Sequence, residues 1–317
     1  ISPELERATD YYARKKQYAK AAHAALYSGY VQQHYGEKQI AMESFKDAER
    51  YSRLAVDSLT MARAQCLMGK MLYDDNTNDE ALSMFKSANC GFGDHFVEKA
   101  LVQNMIAVCY LLRGDFDNAD FCLQQSMLHI EQSSLDKVRR KVLNNFAVLY
   151  RVQGKYNLAI AFLRQIGNEP NLTETEKTLL CLNLGKTYLA YGEIDSATVY
   201  FRQLGDNLPI VKVKDESKVS AYGALSQFAK SIGYDSLALQ YREIHEKLLY
   251  EMMRQRQEQN IYRIQQQYDY ENLQNVLNRK IILRHRIILI ISLLLLVAAV
   301  IIFVLQLRHK RMQEAEA

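Results

Sequence analysis

The stretch "LNLGKTYLAYGEIDSATVYFRQLGDNLP", residues 182–209, decides the fold. Gly192 falls where a helix would close on a left-handed residue, a conformation glycine takes without steric cost. Ala197 follows five residues later and Phe201 four after that, so the stretch reads as helix, tight turn, helix. Residues 144–170, "NNFAVLYRVQGKYNLAIAFLRQIGNEP", repeat the arrangement around Gly154, Ala159 and Leu163. Working outward, the alanines after each turn are Ala41, Ala81, Ala119, Ala159, Ala197 and Ala238, separated by 40, 38, 40, 38 and 41 residues. A fixed period of this size marks a stack of repeated units.

Five of these alanines are preceded by a glycine at the turn (Gly36, Gly114, Gly154, Gly192, Gly233), and Asn76 takes the place in the second unit. Seven residues before the turn stands a small residue: Gly29, Gly69, Ala107, Ala147, Gly185 or Ser226. A large one follows each of the first five alanines (Phe45, Phe85, Leu123, Leu163, Phe201). Small residues let paired helices approach, and the large side chain is expected to fill the space between neighbouring units.

Gly185, Tyr188, Gly192, Ala197, Phe201 and Pro209 together resemble the tetratricopeptide repeat in register, and the resemblance covers about residues 13–245. It implies an all-α solenoid of about six helix-turn-helix units. The period is longer than the family's usual 34 residues, which implies extended helices or longer connections. In the sixth unit the large residue is displaced to Tyr241, as in a capping unit. The expected organisation is a half-repeat remnant over 1–20, with Ser2 as N-cap and Pro3 as first helical residue, then the solenoid over 21–247.

Residues 248–283 contain no Gly or Pro and predict a long stalk helix. Its apolar positions Ile261, Ile264 and Tyr268 have coiled-coil spacing before the register slips at Leu273, so a homodimer through 248–280 and a monomeric helix wrapping back are both open. The stalk runs into nineteen residues, Ile287–Leu305, of which only Ser292 is polar, enough for a membrane helix (assigned to 284–307) flanked by Arg284, Arg286, Arg308, Lys310 and Arg311. Residues 308–317 read as the start of a basic helical tail. The chain begins at Ile1 with no Met or signal peptide, so trimming at either end is expected.

The net charge of +4 is not spread evenly. Seven of the 40 Lys/Arg and two of the 36 Asp/Glu lie from Arg279 onward, so residues 1–278 hold 33 bases against 34 acids. A neutral body of this kind lacks the basic surplus of a nucleic-acid binder. Five cysteines, an odd number without a CxxC pair, argue against a disulfide scaffold or a metal site and read as small buried hydrophobes. No phosphate loop, HExxH or GxSxG is present, and "CGFGDHF" (90–96) falls where the second unit joins the third and reads as a connecting loop. No enzyme activity and no cofactor are expected.

A solenoid's working surface is commonly its concave face, lined by the first helix of each unit. The residues expected to point into it are His23, Tyr27, Tyr30 and His34 in the first unit, Asn104 in the third, Lys141, Asn144, Asn145 and Arg151 in the fourth, and Asn183 and Lys186 in the fifth. Asn amides can hydrogen-bond an extended backbone from both ends, and a lysine can meet a carboxylate. The expected partner is a protein or peptide. The order of parts also resembles bacterial membrane regulators, in which a tetratricopeptide domain is joined through one transmembrane helix to a cytoplasmic coiled coil, sometimes followed by a helix-turn-helix or kinase module. That resemblance implies a receptor in the inner membrane with a periplasmic solenoid. The alternative is a cytoplasmic adaptor anchored by its tail.

Overall fold

The computed structural model describes residues 3–131, 136–255, 257, 281–285 and 289, and every regular element among them is a helix. The chain divides into two compact units, residues 1–253 and 254–317. Of the second, the described residues are 254, 255, 257, 281–285 and 289, all helical, with Arg284 among them. The remainder of the expected stalk, most of the apolar run 287–305, and Arg286, Arg308, Lys310 and Arg311 lie outside the described residues. The expected single-pass inner-membrane location is corrected: among the described residues no helix is long and apolar enough to cross a membrane.

The first unit is a succession of antiparallel helices. These are α1 (Pro3–Arg14), α2 (Tyr18–His34), α3 (Lys38–Ala55), α4 (Ser58–Asp74), α5 (Asn78–Gly91), α6 (Phe96–Arg113) and α7 (Phe116–Glu131). They continue as α8 (Asp136–Val152), α9 (Tyr156–Gly167), α10 (Glu174–Tyr191), α11 (Ile194–Asn207) and α12 (Asp215–Ser231). Helix resumes at residue 235. Even-numbered helices open a unit, odd-numbered ones close it, and α1 packs on α2 as the closing half of a unit would.

Every joint inside a unit has the same construction. Gly36, Asn76, Gly114, Gly154, Gly192 and Gly233 all take positive φ, between 62° and 85°. The next residue's N–H then reaches back five residues, as in Glu37 to the Gln32 carbonyl and Lys155 to the Tyr150 carbonyl, at 2.8–3.0 Å. This satisfies a carbonyl the helix end would otherwise leave bare. Lys16 (φ 58°) and Val56 (φ 57°) make the same turn between units, without the glycine that would mark it in sequence.

The small and large positions meet within one unit rather than between units. A Cβ on Gly69 would lie 2.9 Å from the Phe85 ring, and one on Gly185 would lie 3.0 Å from Phe201. Gly29 faces Phe45 in the same way. Phe45, Phe85, Leu123, Leu163 and Phe201 are fully buried, as are the five alanines before them. Burying each such side chain is worth about 2–3 kcal/mol. In the sixth unit Ser226 donates to the Ala238 carbonyl (2.9 Å), while Tyr241 is half-buried beside Tyr222.

The long period has two sources. In the first units the helices are long, 17 residues in α2 and 18 in α3, with only two residues between α3 and α4. In the fourth and fifth units the second helices shorten to 12 and 14 residues, and longer connections follow at 168–173 and 208–214. The first of these is fastened by a capping box: Thr173 Oγ1 accepts from the Glu176 N–H, and Glu176 accepts from the Thr173 N–H. Arg140 donates to both Glu169 and Glu176, tying the connection to α8.

Candidate functional site: the inner face of the first helices

Successive opening helices lie side by side, and a side-chain contact bridges each neighbouring pair. His23 meets Thr60 (3.0 Å) and Asp57 (3.3 Å) between α2 and α4. Arg63 donates to Glu98 (2.6 Å) between α4 and α6. Asn145 donates to Asn104 (2.7 Å) between α6 and α8, and Asn183 donates to Asn144 (2.6 Å) between α8 and α10. Lys186 donates to Ser220 (3.3 Å) between α10 and α12. The bridges recur because the positions recur: His23 and Arg63 both stand thirteen residues before their turn, and the two asparagine pairs share one register.

The expected residues fall into two groups. Tyr27 (62% exposed) and Tyr30 (43% exposed) stand open on α2, Tyr30 edge-on to Phe45. His34 is exposed at the end of α2, its ring against Tyr35. Burial raises the Tyr30 pKa, and Cys66, Arg63 and Glu98 all lie close enough to act on it. Burial pulls the Glu98 carboxyl upward more than any single partner lowers it, but the Arg63 hydrogen bond, a backbone hydrogen bond and the charges of Arg63 and His95 together leave the pKa low. Charge at this end is therefore matched.

Toward α8 and α10 it is not. Lys141 is exposed, yet its pKa is lowered, first by partial burial and then by the charges of Lys137, Lys70 and Lys214, with Glu176 opposing. Lys186 is lowered by burial and by Arg151, and Arg151 is itself lowered by burial. Lys70 belongs to α4 and Lys214 caps the start of α12, so a cation from unit two and one from unit six both act on Lys141. The influence of Glu216 on Tyr73 spans the same gap. None of these cations makes an ion pair among the described residues.

Lys70, Lys137, Tyr73 and Lys214 were not singled out by sequence. Lys70 stands six residues before its turn, as Tyr30 and Lys186 do, and that shared register is the signal that finds it. The asparagines, expected to face a ligand singly, are paired with each other. Asn104 is 6% exposed. Each pair leaves one amide donor and one amide acceptor without a hydrogen bond among the described residues.

Among the described residues no group of three or more His, Cys, Asp or Glu is placed to hold a metal ion. Cys109, Cys122 and Cys181 are buried, and burial pushes the Cys66, Cys109 and Cys122 thiols up to about 11, far from the reactive thiolate form. Gly91 ends α5 and Phe96 opens α6, so 92–95 form a connecting loop.

The apo form of RapI is similar over 78% of this chain and 96% of its own, with TM-score 0.57 at 16% identity. A tetratricopeptide repeat protein from Parabacteroides merdae is similar over 78% of this chain and 92% of its own, with TM-score 0.54 at 12% identity. The fold is that of a tetratricopeptide solenoid. Aspartyl phosphate phosphatase F from Bacillus subtilis shares it over 74% of this chain and 72% of its own, with TM-score 0.57 at 13% identity. No protein-family model matches the sequence, and neither does any curated protein. At these identities the likeness establishes the tetratricopeptide fold and nothing finer.

Proposed function

We propose that the solenoid is a binding module, without catalysis of its own, that holds an extended segment of a partner protein or peptide along its inner face. The observation that carries this reading is the pair of amide bridges, Asn104–Asn145 and Asn144–Asn183. Each presents an unused donor and an unused acceptor, the complement of a main-chain N–H and C=O. Tyr27, Tyr30 and His34 supply aromatic surface at one end, and Lys141, Arg151 and Lys186 supply charge at the other. Tyrosines of this kind give large contact area for little lost conformational freedom.

A displayed library of random peptides, selected against the full chain, tests the reading. Selected peptides lose at least tenfold in affinity on the double variant Asn145→Arg, Lys186→Glu. They bind unchanged to Leu158→Ser, which alters an exposed position on the closing helix α9. Peptides that ignore the double variant, with its melting temperature intact, would place binding elsewhere and sink the proposal.

A further inference from the structure

Away from the inner face, a cavity of about 480 Å³ opens where the end of α9, the connection 168–173, α10 and α11 meet, within the range of about 300–1,000 Å³ typical of ligand sites. Cys181 and Leu184 line it from α10, and at about 100° per residue they stand on a different flank of that helix from Asn183 and Lys186. The Cys181 thiol donates to Gln203 Oε1 of α11 (3.3 Å). Tyr200 of α11 also lines the cavity and stacks on Tyr188 (centroids 5.6 Å, planes 5° apart), whose hydroxyl accepts from Arg164. The connection is clasped to α8 by the bonds of Arg139 and Arg140 to Glu169, which holds Asn171 and Leu172 where they line the space. The charges at the cavity are already matched: Glu169 has its two arginines and Lys177 has Glu174. What remains is apolar surface from Leu172, Leu180, Leu184 and the Tyr200 ring, with the carboxamides of Asn171, Gln203 and Asn207 beside it. Asn171 and Asn207 make no side-chain hydrogen bond among the described residues, and neither does the Gln203 amide nitrogen.

We infer that this cavity is a second binding site, separate from the inner face, and that it takes one uncharged aromatic residue of a polypeptide. The ring lies against the leucines and Tyr200, and the main-chain amides on either side of it bond to the three carboxamides. A charged ligand would enter partly desolvated space with no counter-ion to meet it. A wholly apolar one would strip water from the carboxamides and give nothing back. A saccharide would answer the carboxamides and leave the three leucines uncovered. An aromatic residue satisfies both surfaces: its ring buries a large apolar area and stacks on tyrosine, and a peptide group offers the donor and acceptor that a carboxamide complements. A ring seated in a preformed pocket is also the kind of contact that dominates protein interfaces.

The chain has no tryptophan, so the emission of added N-acetyl-tryptophanamide, an uncharged tryptophan residue with an amide on each side, reports only the probe's own surroundings. With the full chain a saturable blue shift is expected, with free tryptophan, a zwitterion, binding at least fivefold more weakly and glucose failing to compete. Gly167→Leu is expected to weaken binding at least fivefold: Gly167 lines the cavity, and a Cβ there meets only Leu180, at 3.4 Å, so the longer side chain takes up space without a backbone clash. The exposed pair Asn171→Gly, Gln203→Ala keeps the left-handed turn at 171 (φ 65°) and is expected to weaken binding as much, with an unchanged melting temperature. The double variant Asn145→Arg, Lys186→Glu is expected to keep the full shift. Absence of a saturable shift with the parent chain, or a shift that either cavity variant preserves, overturns the inference. Free tryptophan binding as tightly as the amide, displacement by glucose, or loss of the shift on the inner-face double variant overturns it as well. The peptide selection on the inner face is read independently of all these outcomes, so the two readings fail separately.

Discussion

At the first two units His23 and Arg63 stand thirteen residues before their turns, and each meets a partner on the next opening helix. At the fourth unit Lys141 occupies the same offset and meets none among the described residues. The backbone delivers all three to one inner face. What differs is the residue sixteen places before the turn on the next opening helix: Thr60, with Asp57 beside it, and Glu98 meet His23 and Arg63, whereas Glu176 in α10 is taken by Arg140 and by its own helix cap. A repeat therefore fixes where a side chain points, while the neighbouring repeat decides whether it ties the solenoid together or is left to meet something else. The two ends also differ in their joints, tight turns between the first units and six- or seven-residue connections between the last.

The largest expected effect breaks the tight end. Gly69→Leu drives a side chain into the Phe85 ring, which is fully buried and has no room to retreat. A loss of about 3 kcal/mol is expected, at the upper end for overpacking, and urea denaturation would read it. A loss below the noise of that measurement would mean the helices can spread, and the pairing of small and large positions would not be what sets their distance.

Next in size is the tie at the looser end. Arg140→Ala leaves Glu176 without its cation and Glu169 with Arg139 alone, and the expected cost is about 2 kcal/mol, between exposed and buried pairs. The Glu176 pKa is held low by the Thr173 N–H, then by the Thr173 hydroxyl and Arg140. A carboxyl lowered by folding contributes stability above its ordinary value of 4.5, and that contribution is lost as the pH falls through the lower folded value. Parent and variant should accordingly converge in stability as a titration is carried from neutral pH into acid. A gap that stays constant over that range would show that Arg140 acts through packing alone.

The smallest effect sharpens the comparison of joints. Val56 is β-branched, 91% exposed and held at φ 57°, a costly conformation for such a residue. Val56→Gly should raise stability by about 1 kcal/mol, seen as a higher melting temperature. At Gly36 a glycine already holds the left-handed conformation that Val56 holds at a cost.

The repeat was legible because its demands are local. A left-handed cap, a small residue and an alanine must recur at fixed offsets, and each leaves a mark that can be counted along the chain. The joints at Lys16 and Val56 escaped that count because the residues there are not the ones the conformation favours. The residues named for the inner face fall on the opening helices for the same periodic reason, but their partners were not legible, since Asn104 and Asn145 meet only through the way α6 lies against α8. Lys70 and Lys214 were harder still: they are 144 residues apart in sequence yet act on one lysine, an effect that no single unit displays.

The connections at 168–173 and 208–214 give the stack a mechanical gradient. Under tension from its ends, the stretch from α1 to α4 resists as a rod, because each joint there is a two- or three-residue knuckle locked by a backbone bond across the turn. The last units are joined by longer links held by side chains instead: Arg140 and the Thr173–Glu176 cap at the first, and Thr175 bonded to the Lys212 carbonyl at the second.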